Sequence, residues 1–425
     1  MNRDLRFCVV GAGAAGVLAA ATLRRLGHEQ VTLLEARDWI GGKCRTVQEE
    51  GLSLDVGAVF VLPNYPTVRR LTAQAGVRLR PAPRFLHLDP DRGTRRFGQP
   101  ARPTPTGRKA AEYLRLAGQL MRYRQLFRRP LGELDDWVCQ ELALPFRRWV
   151  EERHLDYLHE VAYPLMRSFG FGYEEQEIPA LYILKALLLL ARNGNPLSLW
   201  DPSSIELWQI EEGYGELWRR IAAPLDVRLE VRIDRVERGE TGGVAHTSEG
   251  TIDFDRLILA CPLPSALGFL DASKEERELF RPIRSFDIWQ LRARVDGLPA
   301  GLILDAAQAF SKIGRPMICF RYRDDANWYW FSGYADEAMD DGEIQTWAIE
   351  DIDALGGRIQ GMPSFARWRG YFPHYGSREV AAGYHARLEA LQGQRVTHYV
   401  GEILSPLGVE ATARYAQRMI EKHFA

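Results

Sequence analysis

Residues 5–10, LRFCVV, are apolar at nearly every position and predict a buried strand, while residues 14–26 carry apolar side chains at helical spacing. A second apolar run, QVTLLE (30–35), predicts another strand. Strand, helix and strand within about 35 residues form the unit that a parallel sheet with right-handed crossovers requires. From about 105 to 192 the pattern turns helical, most clearly in AAEYLRLAGQLMRYRQLF and PALYILKALLLLAR. The segment 108–129 is amphipathic and basic, which fits a cap helix with a solvated cationic face or a helix lying on a membrane surface. Strand patterns return at 227–236 (VRLEVRIDRV), 251–260 (TIDFDRLILA), 317–323 (MICFRYR) and 328–334 (WYWFSGY). RVTHYVGEI (395–403) predicts one more strand and 409–424 a closing helix, whereas QPARPTPTGR (99–108) predicts a loop or hinge.

Composition narrows the class. A chain of 425 residues suggests two domains, or one large α/β domain with insertions. A formal net charge of -1 gives no global attraction to nucleic acid or to an anionic membrane. Five scattered cysteines without a CxxC pair predict reduced, mostly buried thiols. With no signal-like segment at the start, they suggest a cytoplasmic protein. The longest apolar run, ALLLLA (186–191), is too short to span a bilayer. No HExxH or HxxxH spacing points to a metal, and no GxSxG to a serine nucleophile.

Candidate chemistry begins with Gly11, Gly13 and Gly16, which follow the first strand and open the first helix. That arrangement presents backbone N–H groups, including those of Ala14 and Ala15, to a pyrophosphate. Glu35 closes the second strand, where a carboxylate can accept hydrogen bonds from ribose hydroxyls, and an acid there argues against a 2′-phosphate. Beyond Glu35 and Ala36 come Gly41 and Gly42, then Lys43, an expected cation beside the diphosphate, and Cys44. This longer signature resembles that of FAD enzymes of the glutathione-reductase-like type. The resemblance implies a Rossmann-like FAD domain holding the cofactor non-covalently, with Val231 among its contacts. In flavoproteins of this shape Gly401 and Glu402 serve the ribityl and diphosphate region. The helix starting at Val409 and Glu410 then faces the flavin pyrimidine carbonyls, where its partial positive charge favours an anionic reduced flavin.

The stretch GLSLDVGAVFVLPNYPTVRRL (51–71) resembles the flavin amine oxidase superfamily, in which a D-x-G-A segment, here ending in Gly57, Ala58 and Val59, passes under the isoalloxazine. GGKC, VGAVFVLPNYPTV, LALPFRRWV (142–150), SFGFGYEEQEIPALYILKAL (168–187), GYFPHYGSREVAAGYHARLEALQGQ (370–394) and the GEI tail resemble, in order, the flavin-dependent polyunsaturated fatty acid isomerases. This resemblance implies a hydride taken from a bis-allylic carbon to flavin N5 and returned to another carbon, with no net oxidation. The substrate would be a long-chain polyunsaturated lipid. Such chemistry needs a dry, aromatic pocket rather than an acid–base pair. Phe169, Phe171, Tyr173, Tyr371, Phe372 and Tyr375 are candidates for it, although aromatics at such spacing also serve as core packing. By the same resemblance Phe169 stands against the diene, Arg84 (or Arg80) binds the carboxylate, and Trp200 or Leu199 fills a second aromatic position; Tyr371 and Phe372 join Phe169 as catalytic candidates from the aromatic pattern alone.

Amine oxidases of the superfamily carry a lysine near flavin N5, but SFDIWQLRARV (285–295) contains none, and Lys312 lies in a loop-like SKIGRP. The alternative activity is an amine oxidase or desaturase-type oxidation with O2 as acceptor, and a third reading is a flavin-binding scaffold. The implied organisation is a discontinuous FAD domain (1–75, 205–275 and 390–425). A mixed-sheet substrate domain (76–104 and 276–389) and a helical cap (105–204) complete it.

Overall fold

The first crossover unit forms where its periodicity predicts it, as strand Phe7–Val10, helix Ala14–Arg25 and strand Val31–Leu34. The computed structural model describes residues 3–83, 85–89, 93–96, 105–127, 129–157, 159, 177–190, 205–304, 313–323, 326–405 and 408–425. These strands join a five-stranded parallel sheet in the order Thr397–Tyr399, Arg256–Leu259, Phe7–Val10, Val31–Leu34, Asp226–Arg228. Both faces are covered, so Cys8, Val9, Leu33, Leu257 and Ile258 are fully buried and the runs read as continuously apolar. The closing helix, Val409–Phe424, packs beside Ala14–Arg25, so one layer is built from the two ends of the chain.

Two expected strands divide and a third shortens. The run 227–236 supplies Asp226–Arg228 to the parallel sheet, turns through Glu230 at φ 59°, and re-emerges as Ile233–Arg238. That second piece pairs with Gly243–Thr247 and Gly250–Phe254 in an antiparallel three-stranded sheet. The run 251–260 breaks likewise at Asp255, whose carboxylate accepts from the Arg6 backbone N–H (2.8 Å) and guanidinium (3.0 Å). Of 395–403, only Thr397–Tyr399 is strand, because Arg395 and Val396 adopt left-handed backbone (φ 47° and 54°). Hydrophobic periodicity reports burial but not a change of partner sheet. The helix expected over 108–129 runs from Thr106 to Arg122 and gives way to a 3-10 turn at Arg124–Phe127.

The second sheet is mixed and seven-stranded, in the order Arg358–His374, Arg284–Asp296, Ala326–Ala335, Ile318–Arg323, Leu302–Leu304, Phe85–Asp89, Gly93–Arg96. Its two faces have different partners. Trp289, Leu291, Ala293 and Val295 pack with Phe331 against Ile344, Ala348 and Ile352 of helix Asp341–Ala354. The alternate residues Ile288 and Gln290 face the other way, toward the parallel sheet, together with Ile318, Trp330 and Ser332. Among the described residues no helix is long and apolar enough to cross a membrane.

Candidate active site

Between the two sheets lies a cavity of about 610 Å3, and the carboxyl ends of the parallel strands open into it. At one end Gly13 caps helix Ala14–Arg25, which has no acidic residue in its first turn, so its unpaired N–H groups present positive potential. Gly408 opens the closing helix on the same cavity, with Val409 and Thr412 in the wall. Gly11 stands at φ 102°, and a Cβ there would lie 2.9 Å from the Ala260 carbonyl oxygen. A Cβ on Gly401 would meet nothing of the protein within 4 Å, so this glycine keeps a cradle open in the cavity wall.

Glu35 is fixed by two backbone donors, Ala12 N–H (2.8 Å) and Arg37 N–H (3.0 Å), which leave lone pairs on both carboxylate oxygens. Its own carbonyl accepts from Val231 N–H at 2.9 Å. Gly11, Gly13, Ala14, Ala15, Glu35, Ala36, Gly42, Lys43, Cys44, Gly57, Ala58, Val59, Val231, Gly401, Glu402 and Val409 are thereby brought together on one surface. Two expected contacts are placed elsewhere. Gly16 lies behind the wall, where a Cβ would come within 1.9 Å of the Gly11 carbonyl oxygen, so its smallness serves helix packing. Glu410 is buried and turned away, accepting from Thr67 N–H (3.0 Å) and Val68 N–H (2.8 Å) at the start of helix Pro66–Ala75. It caps that helix, a role its sequence position does not reveal.

Lys43 lines the same surface and is held there by neighbours. Its ammonium donates to Glu402 (2.6 Å) and the Gly370 carbonyl (3.0 Å), and lies 4.8 Å from the Tyr371 ring centre. That charge holds three segments of the chain together at the cavity wall.

The substrate-sheet wall is shaped by irregular pairing. Along Arg358–His374 the register against Arg284–Asp296 slips three times, and two of the slips, from His374 to Tyr371 and from Tyr371 to Trp368, fall at the cavity. The extra residues sit beside Gly370 at φ 70° and Phe372 at φ 51°. Regular strand would send Tyr371 and Phe372 to opposite faces, but the bulges let both line the cavity. Phe372 is held there by Tyr182 edge-on (5.6 Å) and by stacked Phe286 (6.2 Å) and His374 (4.9 Å). Tyr375 lies deeper, donating its hydroxyl to the Leu279 carbonyl. Phe60, Leu62, Ile283, Ile288, Ile318 and Trp330 complete an apolar wall.

Several ionisable groups here are held neutral or engaged by neighbours. Burial raises the Cys44 thiol, and it raises Cys261 to about 12, so neither is a thiolate at neutral pH. Burial likewise raises the Tyr371 phenol. Among the described lining residues the carboxylates are Glu35 and Glu402 and the ammonium is Lys43, all engaged as above. Beneath the wall, burial pushes Asp55 up to about 7 despite hydrogen bonds from Thr46 (2.6 Å) and Tyr214 N–H (2.7 Å).

Phe169, Phe171, Tyr173, Arg84, Trp200, Leu199 and Lys312 lie outside the described residues. Arg80, the alternative to Arg84, donates to the Tyr322 carbonyl at 2.8 Å and is not among the lining residues. Sequence reasoning missed Ala260–Pro264, Gln290, Trp330 and Ser332. The first group carried a signal, since it follows a parallel strand at its carboxyl end; the others depend on which face of a strand turns inward.

Two helix N-termini, a ribose-directed carboxylate and the Gly401 cradle fit an extended dinucleotide carrying a diphosphate. The comparisons agree. The family described as flavin containing amine oxidoreductase matches residues 14–304. The Mycobacterium tuberculosis protein AofH, which carries the name of a flavin-containing monoamine oxidase, is 26% identical over 264 residues, covering 60% of this chain and 56% of its own length. An FAD-dependent oxidoreductase of Colletotrichum higginsianum, dpchF, is 24% identical over 441 residues, covering 94% of this chain and 89% of its own. The crystal structure of a CLA-producing fatty acid isomerase from P. acnes superposes with a TM-score of 0.88 over 100% of both chains, at 23% identity. That likeness speaks for the fold, and the match over residues 14–304 for the family: the chain belongs to the flavin-containing amine oxidoreductases and is an FAD-dependent enzyme.

Proposed function

We propose that the chain isomerises a long-chain polyunsaturated fatty acid, moving a double bond into conjugation with no net oxidation. FAD, when bound, supplies a two-electron centre able to accept a hydride and to give one back. The observation that carries this reading is the character of the substrate-sheet wall. Phe60, Ile288, Ile318, Trp330, Tyr371 and Phe372 offer apolar and aromatic surface. Of the described lining carboxylates, Glu402 is paired with Lys43, and Glu35 is held beside the glycine-rich loop by two backbone N–H groups.

Each feature has a task in that reaction. A substrate carbon skeleton that has lost a hydride carries positive charge, and water would trap it; the apolar wall excludes water. Aromatic faces, presented by the bulges at Tyr371 and Phe372, lower the energy of the delocalised cation. Among the described lining residues, Cys44, Cys261 and Tyr371 are neutral and do not act as bases toward it. Phe169 and Arg84 keep their proposed roles, as a ring against the diene and as the carboxylate's partner. The likeness in fold to a fatty acid isomerase supports the reading.

A second reading is net oxidation of a small molecule with O2 as acceptor, favoured by the family description and the name of AofH. Anaerobic incubation with excess linoleate separates the two. Many turnovers of conjugated diene are expected without an acceptor. A flavin that a substrate bleaches once and only air restores would replace isomerisation with oxidation.

A further inference from the structure

Away from the cavity, helix Thr106–Arg122 presents two apolar faces. On one, Leu116 and Leu120 pack on the core, and Glu112 is buried. On the other, Leu114 and Met121 are 76% and 74% exposed. Two turns of helix separate them, so they share one stripe. Gly107, Ala111 and Gly118 fall on it by the same spacing and are exposed too. A Cβ on Gly107 or Gly118 would meet nothing within 4 Å, so no neighbouring element covers the stripe there. Along one edge run Arg108, Arg115 and Arg122, again two turns apart and exposed. Trp137, 39% exposed, stands at the far end, 5.2 Å from the Arg122 guanidinium and stacked on Tyr123 at 6.0 Å.

Every exposed charge on this helix is positive. Nearby carboxylates answer only part of it. Arg108 is bonded to Glu112 (3.1 Å) and Asp156 (3.0 Å), and Arg122 to Glu141. Asp135 is taken by Arg129 at 2.9 Å. Arg115 instead donates to the neutral His154 carbonyl at 2.8 Å, and Lys109 lies over the Tyr157 ring at 5.0 Å. Neither is paired with a carboxylate among the described residues, nor is exposed Arg124 just past the helix. Exposed Asp136, beside Trp137, is the acid set against these three cations. The face is apolar along its middle and cationic in surplus at its border.

Single exposed apolar side chains are ordinary. Two on one arginine-bordered stripe, with a tryptophan at its end, match a helix lying in a lipid headgroup layer. The stripe enters the acyl boundary, while the arginine stems lie along it and keep their guanidinium groups among the phosphates. A second copy of the chain fits less well, because two-fold pairing would bring the same cationic border against itself. We infer that this face docks side-on, without crossing, on the surface of an anionic lipid bilayer. The chain's formal net charge of -1 gives no global attraction, so the contact depends on the local surplus at Lys109, Arg115 and Arg124. Such docking does not depend on which reaction the cavity carries out.

The test is co-sedimentation of the FAD-loaded full chain with two kinds of vesicle, phosphatidylcholine alone and phosphatidylcholine mixed with phosphatidylglycerol. Binding is expected to the mixed vesicles, about tenfold or more tighter than to the neutral ones, and to weaken as salt is added. Leu114→Glu combined with Met121→Glu should lower affinity for the mixed vesicles about tenfold or more. Arg115→Gln combined with Arg124→Gln should lower it by a similar factor and leave the neutral vesicles unaffected. All four side chains are exposed, so flavin content and melting temperature should stay at wild-type values in both variants. The arginine pair decides the matter even if the apolar pair does not fold. No binding to either vesicle, equal binding to both, or binding that neither variant moves overturns the docking. A dimer in sedimentation velocity that the apolar pair dissociates, with no vesicle binding by wild type, gives the face to a second copy and also overturns it.

Discussion

Lys43 Nζ lies 2.6 Å from Glu402 Oε2, joining the glycine-rich loop near the start of the chain to the turn before its last helix. Both side chains are about one-quarter exposed (25% and 28%), so the pair is only partly screened by water. Lys43→Ala leaves Glu402 unpaired beside Tyr371 and frees the Gly370 carbonyl. FAD retention should weaken by about 1–2 kcal/mol. The ratio of flavin to protein absorbance after dialysis checks this, and a fully yellow variant would show that the clamp is dispensable.

Two glycines of the cofactor region should respond oppositely. Gly16→Ala forces a Cβ to 1.9 Å from the Gly11 carbonyl oxygen, so the apoprotein itself should lose stability. Gly401→Ala meets no protein atom within 4 Å, though φ 134° adds roughly 1–3 kcal/mol of strain. Its new methyl occupies the cradle. Thermal melts with and without added FAD distinguish them: FAD should stabilise Gly401→Ala far less than wild type.

Phe372→Ala removes the ring that the bulge at φ 51° turns into the cavity. Flavin content should hold while anaerobic diene formation falls about tenfold, the value of one cation-stabilising ring face. Unchanged turnover would return Phe372 to core packing.

Asp55 is fully buried and burial raises it to about 7, above its unfolded value. Between about pH 4 and 7 the native state therefore holds a proton that the unfolded chain has released. Its contribution is complete below the unfolded pKa and is lost as pH rises through about 7. Buried His374, lowered to about 4, acts in the opposite sense, losing its contribution as pH falls from the ordinary histidine range toward that value. Comparing wild type with Asp55→Asn isolates the first effect. The wild-type melting temperature should drop relative to the variant between pH 5 and pH 8, and parallel pH profiles would exclude this role for Asp55.

What the sequence displayed was local. Phe7–Val10, Ala14–Arg25 and Val31–Leu34 declare themselves because burial on both faces, helical spacing and glycine chemistry act within a short window. Gly11 and Gly13 could be read for the same reason. Glu410 could not, because a carboxylate after a glycine looks the same whether it faces a cofactor or caps a helix formed 342 positions away at Val68. The bulges around Tyr371 were hidden too, since one extra residue in a pairing leaves no periodic trace. Gln290 was visible only as the absence of a lysine in its strand; that its amide donates to the Gly57 carbonyl depends on how two distant segments come together.

The parallel sheet has its last strand, Thr397–Tyr399, beside Arg256–Leu259, and its closing helix beside the first. A ribosome making this chain therefore releases the dinucleotide motif early, long before Gly401, Glu402 and Val409 exist to complete the other side. The nascent protein has to keep that half-built surface out of trouble throughout synthesis. The wall of the cavity is complete only once both of these distant segments have been made and folded together.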